Sequence, residues 1–391
     1  MKNISKKLFE HIFLVLIVAL IGILIGTLIG CFFGVFIAKN SSNYYSILIW
    51  LGIAYMIYFS QLILHEAGHY LFGKFSGYQF VSFRVGNDTW IRENGKLTLK
   101  KFKIPGTGGQ CLMMPPQKDE KGDIYALYYM GGVFVNFVFS LSGALLYAMS
   151  ENENMKIFGF LLCLIAGIAT LINGIPLKVN GMGNDGYNFF LLKKDKIARH
   201  SSYIMLKANA LQTLGVRIKE MPYEWFVLPE QADLSNTMNA TLRIMEGNWF
   251  YDNMKFDEAR VCYETLLNQS EYLMDIHKME LECAVLFIEL IGQKREEVIH
   301  KLYTKKLINY IKKMASFDIN KKKLQYVLCL YEKEDNEDRE DQLEKIYNEA
   351  VKLTKTYPIK AEVKAEMEVF EFLRATKQIF AELEQNERQK E

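Results

Sequence analysis

A mainly α-helical protein in two unlike parts is the fold class this sequence predicts: a polytopic membrane domain, then a soluble helical-repeat domain. Three observations carry the prediction. Long apolar runs fill residues 1–194, dense mixed charge fills residues 195–391, and one apolar run contains two histidines and a glutamate within five residues. The parts also differ in sign. Residues 1–194 hold 17 Lys+Arg against 10 Asp+Glu, and residues 195–391 hold 30 against 35, so the net charge of +2 is a sum over opposites. Nothing in this distribution suggests a nucleic-acid partner.

Four membrane spans and one small β region are expected over residues 1–194. The first span covers about 8–38, behind Lys2, Lys6 and Lys7. It is too long for a signal-peptide core and no A-x-A-like site follows, so it reads as retained. Its Gly22, Gly26, Gly30 and Gly34 recur every four residues. Such a stripe lets another helix approach closely, within the chain or from a second copy. The polar Lys39–Asn43 leads to a second span over about 44–72.

Residues 73–123 carry nine Lys+Arg and five acidic residues and are not membrane-like. Asn94-Gly95, between Trp90–Glu93 and Lys96–Leu99, is a two-residue hairpin signal. Gly106, Gly108 and Gly109 precede the apolar Cys111–Met114 and a Pro115-Pro116 stop. A third span follows over about 124–149, with Gly131, Gly132 and Asn136 in its first half. An asparagine is costly in lipid, so Asn136 is expected to face the protein interior. Glu151–Asn154 turns the chain into a fourth span, about 155–175, which carries Asn173 and ends at Pro176. The basic segments all fall on one side of this layout, so both termini are expected in the cytoplasm.

The chemistry concentrates in Ile63-Leu64-His65-Glu66-Ala67-Gly68-His69-Tyr70. On a helix, His65 and His69 project from one face and can hold one Zn²⁺, while Glu66 can act as general base toward water. Polar residues closing a span are the competing reading. Ionisable side chains in a bilayer each cost roughly 2.5–3.5 kcal/mol on insertion scales, and three in five residues ask for a functional reason. Zinc hydrolysis needs a third protein ligand. Asp185, in Gly183-Asn184-Asp185-Gly186-Tyr187 beyond the fourth span, is the candidate; on local sequence it is equally an ordinary Asp-Gly turn.

These motifs, in this order, resemble the site-2-protease-type intramembrane zinc metallopeptidases. The resemblance covers about residues 45–190. It rests on His65-Glu66-Ala67-Gly68-His69, Gly108-Gly109, Gly131-Gly132 with Asn136, Asn173-Gly174-Ile175-Pro176, and Asp185-Gly186. It implies zinc bound by His65, His69 and Asp185, with Glu66 activating water. It also implies substrate contacts at Asn136, Asn173, Gly108 and Gly109, and a peptide bond in or near a transmembrane segment as the target. The sequence departs from the pattern at Gly131-Gly132, where Gly-Pro is usual, and in the nine residues from Pro176 to Asp185. No candidate PDZ domain is apparent.

Residues 195–391 are helical in pattern. Gly247, Phe256, Ala259 and Tyr263 within Ala240–Gln269 resemble one tetratricopeptide-like helical hairpin. Met279–Gly292, Glu296–Met314, Lys322–Tyr331, Arg339–Lys355 and Ile359–Leu383 have helix length without that consensus. A solenoid-like domain is expected, whose concave face could take a peptide or protein. His200, His277 and His300 are isolated, and the six cysteines show no C-x-x-C pair, so free thiols in a reducing compartment are expected. The Lys-, Ile- and Asn-rich composition hints at an AT-rich bacterium, so the expected location is a bacterial cell membrane. Two function classes follow. One is a membrane zinc endopeptidase acting on small membrane proteins or peptide precursors; the other is a non-proteolytic adaptor that recruits partners through its helical domain.

Overall fold

The computed structural model describes residues 44–93, 95–101, 108–117, 124–179, 182–269, 273, 275–331, 339–357 and 359–388, with Gly26, Gly30 and Gly34 as isolated helical positions. The remainder of the expected first span, 8–38, lies outside the described residues. Among the described residues three helices are long and apolar enough to cross a membrane: α1 (Tyr44–Phe75), α2 (Ile124–Met149) and α3 (Glu153–Gly174). They match the expected spans at 44–72, 124–149 and 155–175 to within about a turn. The chain divides into two compact units, residues 1–65 with 133–172, and residues 66–132 with 173–391, the first division falling inside the continuous α1.

In the first unit α2 and α3 approach through small residues. A Cβ added at Gly143 would lie 2.4 Å from the Cys163 backbone nitrogen, and one at Gly159 would lie 2.8 Å from the Gly143 carbonyl oxygen. Ser140 Oγ donates to the Cys163 carbonyl at 3.0 Å, so the contact also satisfies a hydroxyl within apolar sequence. Leu48, Ile49, Phe134, Phe137 and Leu145 point outward and are exposed. That disposition is unfavourable in water and suits hydrocarbon.

The second unit contains a four-stranded antiparallel sheet, ordered β3-β2-β1-β4, formed by β1 (Gln79–Val85), β2 (Asp88–Glu93), β3 (Lys96–Lys101) and β4 (Gly109–Met114). The β2–β3 register closes at Glu93↔Lys96 around Gly95, whose φ of +78° is one that glycine adopts freely. Asn94 itself lies outside the described residues. The sheet extends beyond the expected hairpin. Gly86-Asn87 turns β1 into β2, and the Gly108-Gly109 segment opens an edge strand, β4. Val81, Ile91, Cys111, Leu112 and Met113 are among its buried apolar side chains, and Ser82, Arg84 and Thr89 are buried with them.

Beyond α3 a two-stranded ribbon, β5 (Lys178–Val179) with β6 (Met182–Gly183), leads into α4 (Asp185–Lys194) and α5 (Lys196–Thr213). Helical sequence then continues as α6 (Thr237–Asp252), α7 (Phe256–Leu267), α8 (Asp275–Ile291), α9 (Glu296–Leu302), α10 (Lys305–Met314), α11 (Ile319–Tyr331), α12 (Arg339–Thr354) and α13 (Lys360–Arg388). The Gly247 and Tyr263 pair packs α6 on α7: a Cβ at Gly247 would lie 2.4 Å from the tyrosine ring, and Ala259 is fully buried. The single helix expected over Glu296–Met314 is two. Thr304 Oγ1 accepts from the Leu307 amide at 3.2 Å and starts α10 afresh.

Leu281, Leu286, Phe287 and Ile288 of α8 form the core of this helical region. Lys321, Lys322 and Lys323 of α11 are buried beside it, paired with Glu280, Glu349 and Glu366. Lys323 also lies 4.2 Å from the Phe287 ring centre, a cation–π contact that offsets part of its desolvation. The five described cysteines form no disulfide with one another.

Candidate metal centre

Helix α1 carries His65, Glu66 and His69, and all three side chains are buried. The crossing of α1 over α2 sets their surroundings. Gly68 and Gly131 meet backbone to backbone, so each helix lacks a Cβ where the other passes. The close approach brings the Tyr128 carbonyl, one turn before Gly131, to 2.7 Å from His69 Nδ1. A carbonyl only accepts, so Nδ1 carries the proton and Nε2 turns its lone pair outward. The Tyr128 hydroxyl donates to the Cys111 carbonyl of β4 at 2.7 Å, and its ring stacks on Tyr78 at 4.9 Å between centres. One residue thus ties the histidine helix to the sheet.

Asp185 reaches the site through the ribbon that follows Pro176. Asn184 organises the return: its Oδ1 accepts from the Tyr187 amide at 2.8 Å as an N-cap, and from the Leu177 amide at 3.1 Å. Its Nδ2 donates to the Ile175 carbonyl at 2.6 Å. Gly186 allows α4 to begin against the end of α3, since a Cβ there would lie 2.1 Å from the Gly174 carbonyl oxygen. The eight residues between Pro176 and Asp185 therefore include the paired β5 and β6 strands.

The outcome is Asp185 Oδ2 at 3.4 Å from His69 Nε2. Two hydrogen-bond acceptors facing each other at that distance need a cation between them, a proton or a metal. Ligands about 2.1 Å from a tetrahedral ion sit about 3.4 Å apart, so the pair has the spacing of one edge of such a site. His65, one turn earlier on α1, completes a group whose three ligand atoms lie within 4.8 Å of one another. The chemistry of the donors, two imidazoles and a carboxylate, fits a metal ion.

Two neighbours complete the arrangement. Asn136 Nδ2 lies 3.2 Å from His65 Nδ1, and Asn136 is only 1% exposed. Its Oδ1 has no partner among the described residues. With the carboxamide turned end over end, that oxygen would accept from a protonated Nδ1 and leave His65 Nε2 as the ligand atom. Gly109 of β4 passes so near Glu66 that a Cβ would lie 2.7 Å from Oε1.

Of the residues the sequence singled out, His65, Glu66, His69, Asp185 and Gly109 converge, and Asn136 lies against His65. Asn173 occupies the last turn of α3, where its carbonyl oxygen is 3.1 Å from a Cβ built on Gly186. Gly108 instead accepts from the Gly86 amide at 2.8 Å and belongs to the turn of the sheet.

Two residues escaped the sequence reading. Arg84 of β1 is buried and donates to the carbonyls of Gly86 at 2.8 Å and Gly109 at 3.2 Å. Burial lowers its guanidinium from the usual value, and the Glu66 charge works against that shift. Gln61, one turn before His65, is 3% exposed, and its Oε1 has no partner among the described residues. Neither residue lies in a recognisable motif, and a lone arginine in a strand pattern carries no signal of its own. Compared with known proteins, the chain matches no family model, no curated protein and no solved structure.

Proposed function

We propose that the protein is a membrane-embedded zinc metalloendopeptidase that cuts peptide bonds in or near transmembrane segments of small membrane proteins or peptide precursors. The observation that carries this reading is the facing pair His69 Nε2 and Asp185 Oδ2, 3.4 Å apart, with Glu66 on the adjoining turn of a membrane-length helix. His65, His69 and Asp185 hold the ion. A bound zinc ion supplies Lewis acidity toward a carbonyl oxygen and toward water. Glu66 takes the proton of the attacking water and passes it to the leaving amine. A partner-recruiting scaffold has no use for that base.

A peptide bond in a helix is shielded, so the substrate must be held extended. Strand β4 pairs with β1 on one side only among the described strands, and its Gly109 borders Glu66. A substrate added along this edge would have its backbone hydrogen-bonded next to the base. Asn136 supports His65 in this reading, and Asn173, at the end of α3, contacts substrate backbone.

The finer architecture belongs to the same proposal. The apolar run at 8–38 adds a fourth span, and α6 to α13 form a solenoid-like domain. The basic N-terminal segment and the basic 73–123 region make both termini cytoplasmic in this reading. Trp90, Leu97 and Leu99 are exposed on the β2–β3 hairpin beside Lys96 and Lys100, a composition suited to a bilayer interface.

The test is zinc per chain in detergent-purified protein, wild type beside Asp185→Ala, followed by membrane-peptide profiles of cells carrying Glu66→Gln. The expected result is about one zinc in wild type, much less in Asp185→Ala, and substrate accumulation with Glu66→Gln. No zinc in wild type purified without chelators would favour the adaptor. Unchanged peptides with Glu66→Gln would end the protease reading.

A further inference from the structure

The helical region encloses a second site, remote in sequence from the histidines. A cavity of about 420 Å³ opens between α5, α6, α8, α11 and α13. That volume lies within the range of pockets that hold small ligands. Its floor is apolar and aromatic, with Leu281, Ala284 and Phe287 of α8 and Tyr251 of α6.

Its rim is polar in a particular way. Asn209 and Gln212 of α5 and Asn320 of α11 line it, and their side chains make no hydrogen bond among the described residues. Each carboxamide offers one acceptor and two donors, the complement of a peptide group. Asn248 of α6 accepts from the Tyr263 hydroxyl at 2.8 Å through Oδ1, which leaves its Nδ2 for a ligand.

The charges are unbalanced. Asp252, Glu280, Asp318, Glu362 and Glu366 line the cavity, and Lys321 is the one lysine or arginine among the lining residues. Arg217 pairs with Asp252 and Lys323 with Glu366 from behind the wall. Lys321 serves both Glu280 and Asp318. Among the described residues Glu362 accepts a hydrogen bond from the Tyr357 hydroxyl at 3.0 Å. Lys321, Arg217 and Lys323 thus face five carboxylates, and Arg217 is shared with Glu368 outside the cavity, so the carboxylates outnumber the cations that serve them. His277, half-buried on the same wall, is held toward its neutral form by burial and adds little positive charge.

We infer that this cavity binds a short linear peptide carrying a basic group, an amino terminus or a lysine or arginine side chain. The carboxamides take the peptide backbone, the α8 floor takes an apolar side chain, and Glu362 with Asp318 takes the cation. The three features together separate a peptide from a simple amine, which would use the carboxylates alone. The inference does not depend on the proteolytic reading, because no residue of the metal centre lines the cavity.

The test uses the full chain in detergent, immobilised and exposed to a randomised hexapeptide library with free amino termini, with bound peptides read by mass spectrometry. Basic peptides should be enriched, and one of them, resynthesised and labelled, should bind at least tenfold more weakly to Glu362→Gln and to Asn320→Ala. A thermal melt no lower than wild type for each variant keeps loss of folding out of the result. Enrichment of acidic peptides, no enrichment over a chain-free matrix, or equal binding to wild type and both variants would overturn the inference. Displacement of every enriched peptide by spermidine, with no discrimination among peptide sequences, would make the cavity an amine site and overturn it as well.

Discussion

Gly68 of α1 and Gly131 of α2 touch through their backbones: a Cβ on Gly68 would lie 2.4 Å from the Gly131 oxygen, and one on Gly131 would lie 2.5 Å from the Gly68 oxygen. The obstacle on each side is main chain, which cannot rotate away as a side chain could. Everything near His69 depends on this crossing, because Tyr128 sits one turn before Gly131 and lends His69 its carbonyl.

Gly68→Ala should therefore push the helices apart and lengthen the His69–Tyr128 hydrogen bond. Overpacking of this kind costs about 1–3 kcal/mol, and the misdirected imidazole should bind zinc at least tenfold more weakly. Thermal denaturation with and without added zinc measures both. Wild-type zinc affinity in Gly68→Ala would mean that the crossing does not aim His69.

Asn136→Ala removes the carboxamide from His65 Nδ1 without touching a proposed ligand. Loss of such a supporting partner weakens metal binding by about 10–100-fold. Competition with a chromogenic chelator, for wild type and variant side by side, would read that change. If affinity holds and only substrate turnover falls, Asn136 contacts substrate and does not orient the histidine.

Gly109→Ala separates base from metal. The added methyl would meet Glu66 Oε1 at 2.7 Å and Cγ at 2.8 Å, so the carboxylate must swing aside while His65, His69 and Asp185 stay in place. Zinc content should remain near wild type while cleavage falls by about 10²–10⁴, the range associated with a positioned general base. Equal losses of zinc and activity would show that the strand supports the whole centre.

Much of this site is written in residue types, and some of it is not. His65, Glu66 and His69 stand out because ionisable groups are rare in apolar runs, and Asn94-Gly95 because few dipeptides suit a two-residue turn. Asp185 was only half legible, since an Asp-Gly pair reads as a turn until Asn184 and Gly186 are seen to close the chain against α3. The Gly86-Asn87 turn carries the same kind of signal as Asn94-Gly95, and without it β1 goes unread, whereas Gly108–Met114 is legible as a strand edge and is β4. The Tyr128 contribution to His69 is a carbonyl, which every residue has, so no side chain could announce it. The run Lys321-Lys322-Lys323 reads as a solvated face. Only the folded arrangement, which brings Glu280, Glu349 and Glu366 to it, explains its burial.

The helical region should show its own pH dependence through Glu362. Burial is the largest influence on that carboxyl and pushes it up from 4.5 to about 7; the Tyr357 hydroxyl opposes the shift, and Asp318 and Glu366 add to it. Other groups face it too, with Lys321 pulling it downward. The folded state holds the proton more tightly than the unfolded chain, so the contribution to stability is present below pH 4.5 and is lost as pH rises through about 7. Glu362→Gln keeps an acceptor for the Tyr357 hydroxyl and does not titrate. Its melting temperature should match wild type near pH 5 and exceed it at pH 8, by about 2–4 °C for each kcal/mol of relieved cost. Near-ultraviolet circular dichroism of the detergent-solubilised chain at the two pH values measures the difference. An offset of the same size at both would mean that Glu362 is ionised in the folded protein throughout this range.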